Sequence, residues 1–195
     1  MRKIFTYYCV VMSALLCCRV AAQAQVDKSK FEIGVHFTTL QVSEKNDHDS
    51  GLGLRFTYNL NDYIGVEAEA NGLPQTREGG GNNEKQGFFG VRAGIRKEKF
   101  GVFAKARPGF TTFNLLGINP GVNTFEQGHT RFAMDVGGVV EYYPTQHVAL
   151  RFDAGDTMIH YKPGDFFYQR LDEPHPVNKE FSHNLQIMVG VAYRF

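Results

Sequence analysis

From Phe31 to the C-terminus, apolar and polar side chains alternate with a period of two in eight separate runs. Such a period puts one set of residues on each face of an extended strand. The first run sets Phe31, Ile33, Val35 and Phe37 against Glu32, Gly34, His36 and Thr38. The second sets Leu52, Leu54, Phe56, Tyr58 and Leu60 against Gly51, Gly53, Arg55, Thr57 and Asn59. Further runs occupy 64–71, 89–96, 100–107, 132–142, 148–155 and 184–195, and no segment among them carries a helical period. Most approach the ~9–11 residues that a tilted strand needs to cross a bilayer.

The connections alternate as well. Tight links at 61–62, 97–98 and 144–146 are interleaved with longer polar segments at 41–50, 73–85, 114–129 and 158–183. The long segments hold Gly79, Gly80, Gly81, Pro74, Pro120, Pro163, Pro174 and Pro176, as loops do. Short and long links in turn predict an all-β fold: an eight-stranded antiparallel up-and-down transmembrane β-barrel with short periplasmic turns, long extracellular loops and both termini periplasmic. Pro108 interrupts the fifth run; it removes a ladder hydrogen bond and belongs at a strand end or a bulge.

A soluble barrel of the same strand number would turn its apolar face inward, so the charges decide between the two. The polar face carries Arg55, Arg92, Arg96, Lys105, Arg107, Arg151 and Arg194 with Glu32, Glu67, Glu69, Asp135, Glu141 and Asp153, while the opposite face is almost free of charge. Near balance of sign is what a shared lumen requires, because buried charges need partners. Glu32, Arg55, Glu67, Glu69, Arg92, Lys105, Arg107, Asp135, Glu141, Arg151 and Asp153 are therefore expected to form a lumen charge network, with Arg55 facing Glu67 or Glu69 and Glu141 facing Arg151 across tight turns. Aromatic residues sort to the strand ends: Phe31, Tyr58, Tyr63, Phe100, Tyr142, Tyr143, Tyr193 and Phe195 near the tight turns and termini, Phe37, Phe88, Phe110, Phe113 and Phe132 near the other end. Two girdles of this kind mark the interfaces of a bilayer.

Composition qualifies this picture without changing it. The chain has 195 residues, with a mean hydropathy of −0.29 that by itself would suggest a soluble protein. A strand polar on every second position gives the same value. With 21 Lys+Arg against 20 Asp+Glu, nothing points to nucleic acid as a partner. The first 24 residues read as a cleaved secretory signal: Arg2 and Lys3 form a positive start, an apolar stretch of ~15 residues follows, and small residues lead to cleavage after Ala24. The barrel domain is then 25–195. Cys9, Cys17 and Cys18, the three cysteines of the chain, all lie in that segment, so the mature chain holds no disulfide. Removal of Arg2, Lys3 and Arg19 lowers Lys+Arg from 21 to 18 against the 20 acidic residues.

The last run ends Ile187, Val189, Val191, Tyr193, Phe195, with a terminal Phe. It resembles the recognition signal of bacterial outer-membrane barrels, carried here by Val191, Tyr193 and Phe195. Together with the signal peptide and the eight strands, it is similar to the small OmpA/OmpX-like outer membrane protein beta-barrel domain family over essentially the whole mature chain. The resemblance implies an integral protein of the outer membrane of a Gram-negative bacterium. It also implies export through the Sec translocon, insertion by the barrel-assembly machinery, and contact with outer-membrane lipid. It does not specify an activity.

Candidate chemistry is sparse. An eight-stranded barrel is just wide enough for its own side chains to fill, so the expected role is structural or surface-interacting with a charge-plugged lumen; a small gated channel is the alternative, and a lipid-modifying enzyme the third reading. Asp156, His160, Ser182 and His183 flank the last long loop, but adjacent strand residues point to opposite faces, and the expectation is no enzymatic activity. Asp156, His160, Asp165, Asp172, Glu173 and His175 match no zinc or calcium spacing, and no cofactor is expected. Loop 158–183 mixes Tyr161, Phe166, Phe167 and Tyr168 with charges and is the candidate surface for an extracellular ligand.

Overall fold

The computed structural model describes residues 30–43, 47–74, 84–119, 122–161, 166–170, 173–176 and 180–195, and the side chains of these except at 47, 113–119, 122–128, 166–170 and 173–176. The signal segment 1–24 lies outside the described residues. Ten strands are present: β1 Phe31–Val42, β2 Asp47–Asn59, β3 Ile64–Leu73, β4 Glu84–Arg96, β5 Phe100–Asn119, β6 Val122–Tyr142, β7 Val148–His160, β8 Phe166–Arg170, β9 Glu173–Pro176 and β10 Phe181–Arg194. Eight of them close into an antiparallel barrel in the order β1-β10-β7-β6-β5-β4-β3-β2. All-next-neighbour pairing closed by β1 on β10 is the up-and-down arrangement read from the sequence. Closure runs from Glu32↔Arg194 to Leu40↔Gln186, and the terminal residue extends it, since Phe31 and Phe195 exchange both backbone hydrogen bonds at 3.0 Å.

Burial alternates strictly along β1 and β10, and the buried set is the polar one. Glu32, His36, Arg55, Glu67, Arg92 and Arg107 lie inside, whereas Ile33, Val35, Leu52, Leu54, Phe89 and Val102 are exposed. A soluble barrel would show the reverse, and an exposed apolar belt encircling the molecule is stable only against hydrocarbon. No described helix is long and apolar enough to cross a membrane; the crossing is made by strands.

The strands outrun the alternating segments. β1 reaches Val42 and β2 begins at Asp47, so most of the expected 41–50 loop is strand. The expected loop 114–129 is the continuation of β5 and β6, paired as far as Asn119↔Val122, and the 158–183 segment is shortened by β7 and β10 and contains the separate β8–β9 hairpin. The reason lies in polarity. Above Phe37 the outward positions of β1 become Thr39 and Gln41, while the inward ones become Leu40 and Val42. The pattern inverts where the strand leaves the hydrocarbon, and inversion resembles an ending. Pro108 also departs from expectation: it sits in mid-strand on the outer face, and no β4–β5 pair forms between Phe88↔Gly109 and Val91↔Ala106. The missing N–H leaves a local gap in one ladder while pairing to β6 continues through Pro108↔Met134.

Candidate functional site: the barrel lumen

The inward positions of the eight strands place their charges in two connected tiers. Near the tight turns, Glu32 of β1 accepts from Arg92 (3.2 Å), Arg96 (3.1 Å) and Arg194 (3.2 Å). Asn59 bridges the same group, donating to Glu32 at 2.8 Å and accepting from Arg92 and Arg96. Arg92 also pairs with Glu141. Tyr143 closes this tier: its hydroxyl donates to Glu141 at 2.5 Å and accepts from Arg96 at 3.0 Å, and the Arg194 guanidinium lies 4.5 Å from its ring centre. The Arg92 guanidinium covers the inward ring of Phe103 at 4.6 Å.

The second tier crosses the middle of the barrel. Arg151 holds Asp153 with two bonds, Nε to Oδ2 at 2.7 Å and Nη2 to Oδ1 at 2.8 Å, and also binds Glu67 from across the lumen. Arg107 donates to Glu69 at 2.7 Å, to Glu67 at 3.3 Å, and through Nε to Asp135 at 2.9 Å. Lys105 lies 2.9 Å from Asp135 and 3.4 Å from Asp153. Arg55 lies 3.3 Å from Asp153 and 3.7 Å from Glu69. The pairings expected across the tight turns occur, through the registers Arg55↔Glu69 and Glu141↔Arg151. All eleven residues expected inside are buried and converge here. Charges this buried are tolerable because Arg55, Arg92, Arg96, Arg107 and Arg151 each meet more than one carboxylate.

Above these tiers the lumen is lined by amides, with the carboxylates of Glu84 and Asp49 also buried there, and then by apolar clusters. His36 pairs with Asn71 at 2.8 Å; Asn71 donates to Glu69 and Gln86, and Gln186 donates to Gln86 at 3.0 Å and to Thr38 at 2.9 Å. Glu84 accepts from Gln86 and Thr111. Beyond this amide layer lie two apolar clusters, Leu40–Val42–Leu73 and Phe88–Ala133–Ile159–Tyr161. Two residues expected in the girdles are therefore lumen residues: Tyr143 is 4% exposed and Phe88 3%. Both occupy positions of inward parity, and parity outweighs their aromatic character. Phe113 falls outside the described side chains. The girdle beside the tight turns is otherwise present, with Phe31 5.0 Å from Tyr58 and stacked on Phe195 at 5.9 Å, and Phe100 5.1 Å from Tyr142. Val191, Tyr193 and Phe195 face outward on the closing strand.

The polar residues around the last loop separate by face. His183 and Asp156 pair on the outer wall, Nδ1 to Oδ2 at 2.5 Å, while Ser182 points inward and donates to Asn184 at 3.1 Å. His160 pairs with Glu180 at 3.4 Å and stands against the Phe181 ring. Asp165 and Asp172 lie outside the described residues, as do the side chains of Glu173 and His175. Among the described residues no group of three or more acidic or histidine side chains is arranged to hold a metal.

A closed eight-stranded barrel with an apolar outer belt and a charged interior defines a small integral outer-membrane barrel protein. Residues 10–195 match the outer membrane protein beta-barrel domain, and the chain belongs to that family. No curated protein matches the sequence. Among solved structures it is similar to Neisserial surface protein A, with a TM-score of 0.59 and 14% identity over 86% of this chain and 98% of that one. It is also similar to Ail, the attachment invasion locus protein of Yersinia pestis, in complex with the heparin analogue sucrose octasulfate, with a TM-score of 0.54 and 15% identity over 86% of this chain and 99% of that one. At such identities these likenesses speak to the fold.

Proposed function

We propose that this protein is a structural and surface-interacting barrel of the outer membrane whose lumen is sealed by its own charges, and that it is not an enzyme. The observation that carries the reading is the unbroken chain of contacts from Arg194 and Glu32, through Arg92, Glu67, Arg107 and Glu69, to Asn71, Gln86 and Gln186. A solute path would have to part charge pairs, then amides, then the apolar caps. The mature protein begins after Ala24, following export through the Sec translocon. The barrel-assembly machinery reads Val191, Tyr193 and Phe195, and both termini end in the periplasm. The long hairpins then face the exterior, where segment 158–183 offers a surface to an extracellular ligand.

Planar-bilayer recording of the purified barrel tests the seal. The expected trace has no steady unit step. Steps of constant size that vanish on neutralising Arg107 or Arg151 would instead favour a gated channel in which these guanidinium groups exchange carboxylate partners.

A further inference from the structure

On the outer wall the lipid-facing side chains are uneven. Along β3 they shrink to Ala68, Ala70 and Gly72, and the next strand contributes Gly87. A Cβ built on Gly72 would meet nothing within 4 Å, whereas one built on Gly87 would strike the Phe110 ring that leans over it at 2.7 Å. The neighbours that flank this strip stand proud: Leu52 is 71% exposed and Phe89 63%. The result is an apolar groove on the barrel wall between Leu52 and Phe89. Its floor from Ala68 to Gly72 is roughly 13 Å long at the rise of a strand. Lys85 stands at its loop end as the register partner of Gly72. Among the described residues Lys85 is also the one Lys or Arg on the outward positions of the eight barrel strands.

We propose that this groove seats one acyl chain of a phosphate-bearing lipid of the outer leaflet, with Lys85 pairing to its phosphate. A chain lying along Ala68–Gly72 covers the gap left by the missing side chains. A lysine at the boundary of the hydrocarbon keeps its stem on apolar surface and its ammonium at headgroup depth. The groove explains why this outward Lys adjoins the stretch of β3 from Ala68 to Gly72, whose outer face carries only small side chains. The assignment to the outer leaflet rests on the orientation proposed above.

The chain contains no tryptophan, so Phe89→Trp in the full mature protein gives one reporter on the groove wall and Phe152→Trp, outward on β7 across the barrel, a control. Each is reconstituted into phosphatidylcholine vesicles, and quenching by phosphatidate with brominated acyl chains is compared with quenching by equally brominated phosphatidylcholine. The expected preference for phosphatidate at the groove is about fivefold, the value of one lysine–anion contact at a membrane surface, with none at the control. Lys85→Gln should abolish the preference, and Gly72→Leu should lower quenching by both lipids to the control level. Equal quenching by the two lipids, a preference that survives Lys85→Gln, or a Gly72→Leu protein that is quenched as before overturns the proposal. Vesicle reconstitution does not depend on which end faces outward in the cell, so an error in orientation appears in surface labelling alone.

Discussion

Glu67 is fully buried and lies within 4 Å of three guanidinium groups: Arg151, Arg107 at 3.3 Å and Arg92 at 3.6 Å. Removing one partner from a buried cluster leaves uncompensated charge in a dry site, which costs more than the intact pair contributed. Glu67→Ala is therefore expected to lower the unfolding free energy by ~3–5 kcal/mol, read from urea titrations of the barrel in lipid vesicles. His160→Ala, which removes the half-buried partner of the largely exposed Glu180, should change it by less than ~1 kcal/mol. A loss at Glu67 no larger than that at His160 would mean that water reaches the lumen and screens its charges. The charged members of this site were legible in the sequence because a Glu or Arg between Val and Ala in a period-two run has only one face to occupy. Asn59, Asn71 and Gln186 share that polar face, but their partners were not legible: only the closed register brings Asn59 to Glu32, and Gln186 to Gln86, which lay outside the alternating runs. Tyr143 was assigned to the girdle because a ring at a strand end fits an interface, yet its hydroxyl is what Arg96 and Glu141 share.

At the scale of the element, the strands were legible wherever hydrocarbon enforced alternation and were missed wherever it did not. β5 continues through 113–119 and β6 from 122 to 128 as paired strands, but no bilayer selects for apolar residues there, and Asn, Gly and Thr read as loop. Glycine shows the same division between faces. On the inner face of β4, a Cβ on Gly94 would fall 2.0 Å from the Val102 carbonyl oxygen and 2.5 Å from the Phe103 Cα, both backbone atoms that cannot swing away. Gly94→Ala should slow refolding into vesicles and destabilise the product by ~1–3 kcal/mol, while Gly72→Ala, with open space around its Cβ, should refold like the parent. Equal behaviour of the two would show that β4 and β5 can separate at no cost. The closing strand gives a different contrast. Phe195 closes the barrel through backbone groups that any residue supplies, and its ring stacks on Phe31 and Tyr193 at the rim. Phe195→Ala should leave refolding of purified protein nearly unchanged but reduce the amount of folded barrel in cells, measured by heat-modifiable gel mobility. A similar loss in both settings would make the residue a packing element and not an assembly signal.

For the whole molecule, direction across the membrane follows from the unequal ends of the barrel. One end is cut close to the hydrocarbon by turns at 60–63, 97–99 and 143–147 and carries the start of β1 and the end of β10 within a ring of Phe31, Tyr58, Tyr193 and Phe195. The other end extends well past the apolar belt in the β5–β6 hairpin and carries β8 and β9. On the proposed route the translocated end has to cross the bilayer and the end that stays behind retains the termini, so the proposed cleavage after Ala24 would leave both ends in the periplasm. All three cysteines fall at or before Cys18, so a single introduced thiol reports its own side. Ser43→Cys, on the exposed rim beside β10, is expected to react with a membrane-impermeant maleimide on intact cells. Glu98→Cys, in the tight turn between β4 and β5, should react only after the outer membrane is breached. The opposite result would reverse the molecule and move Lys85 to the inner leaflet. Labelling of both thiols on intact cells would mean that a fraction of the barrels inserts in each direction, and that the unequal ends do not set the orientation.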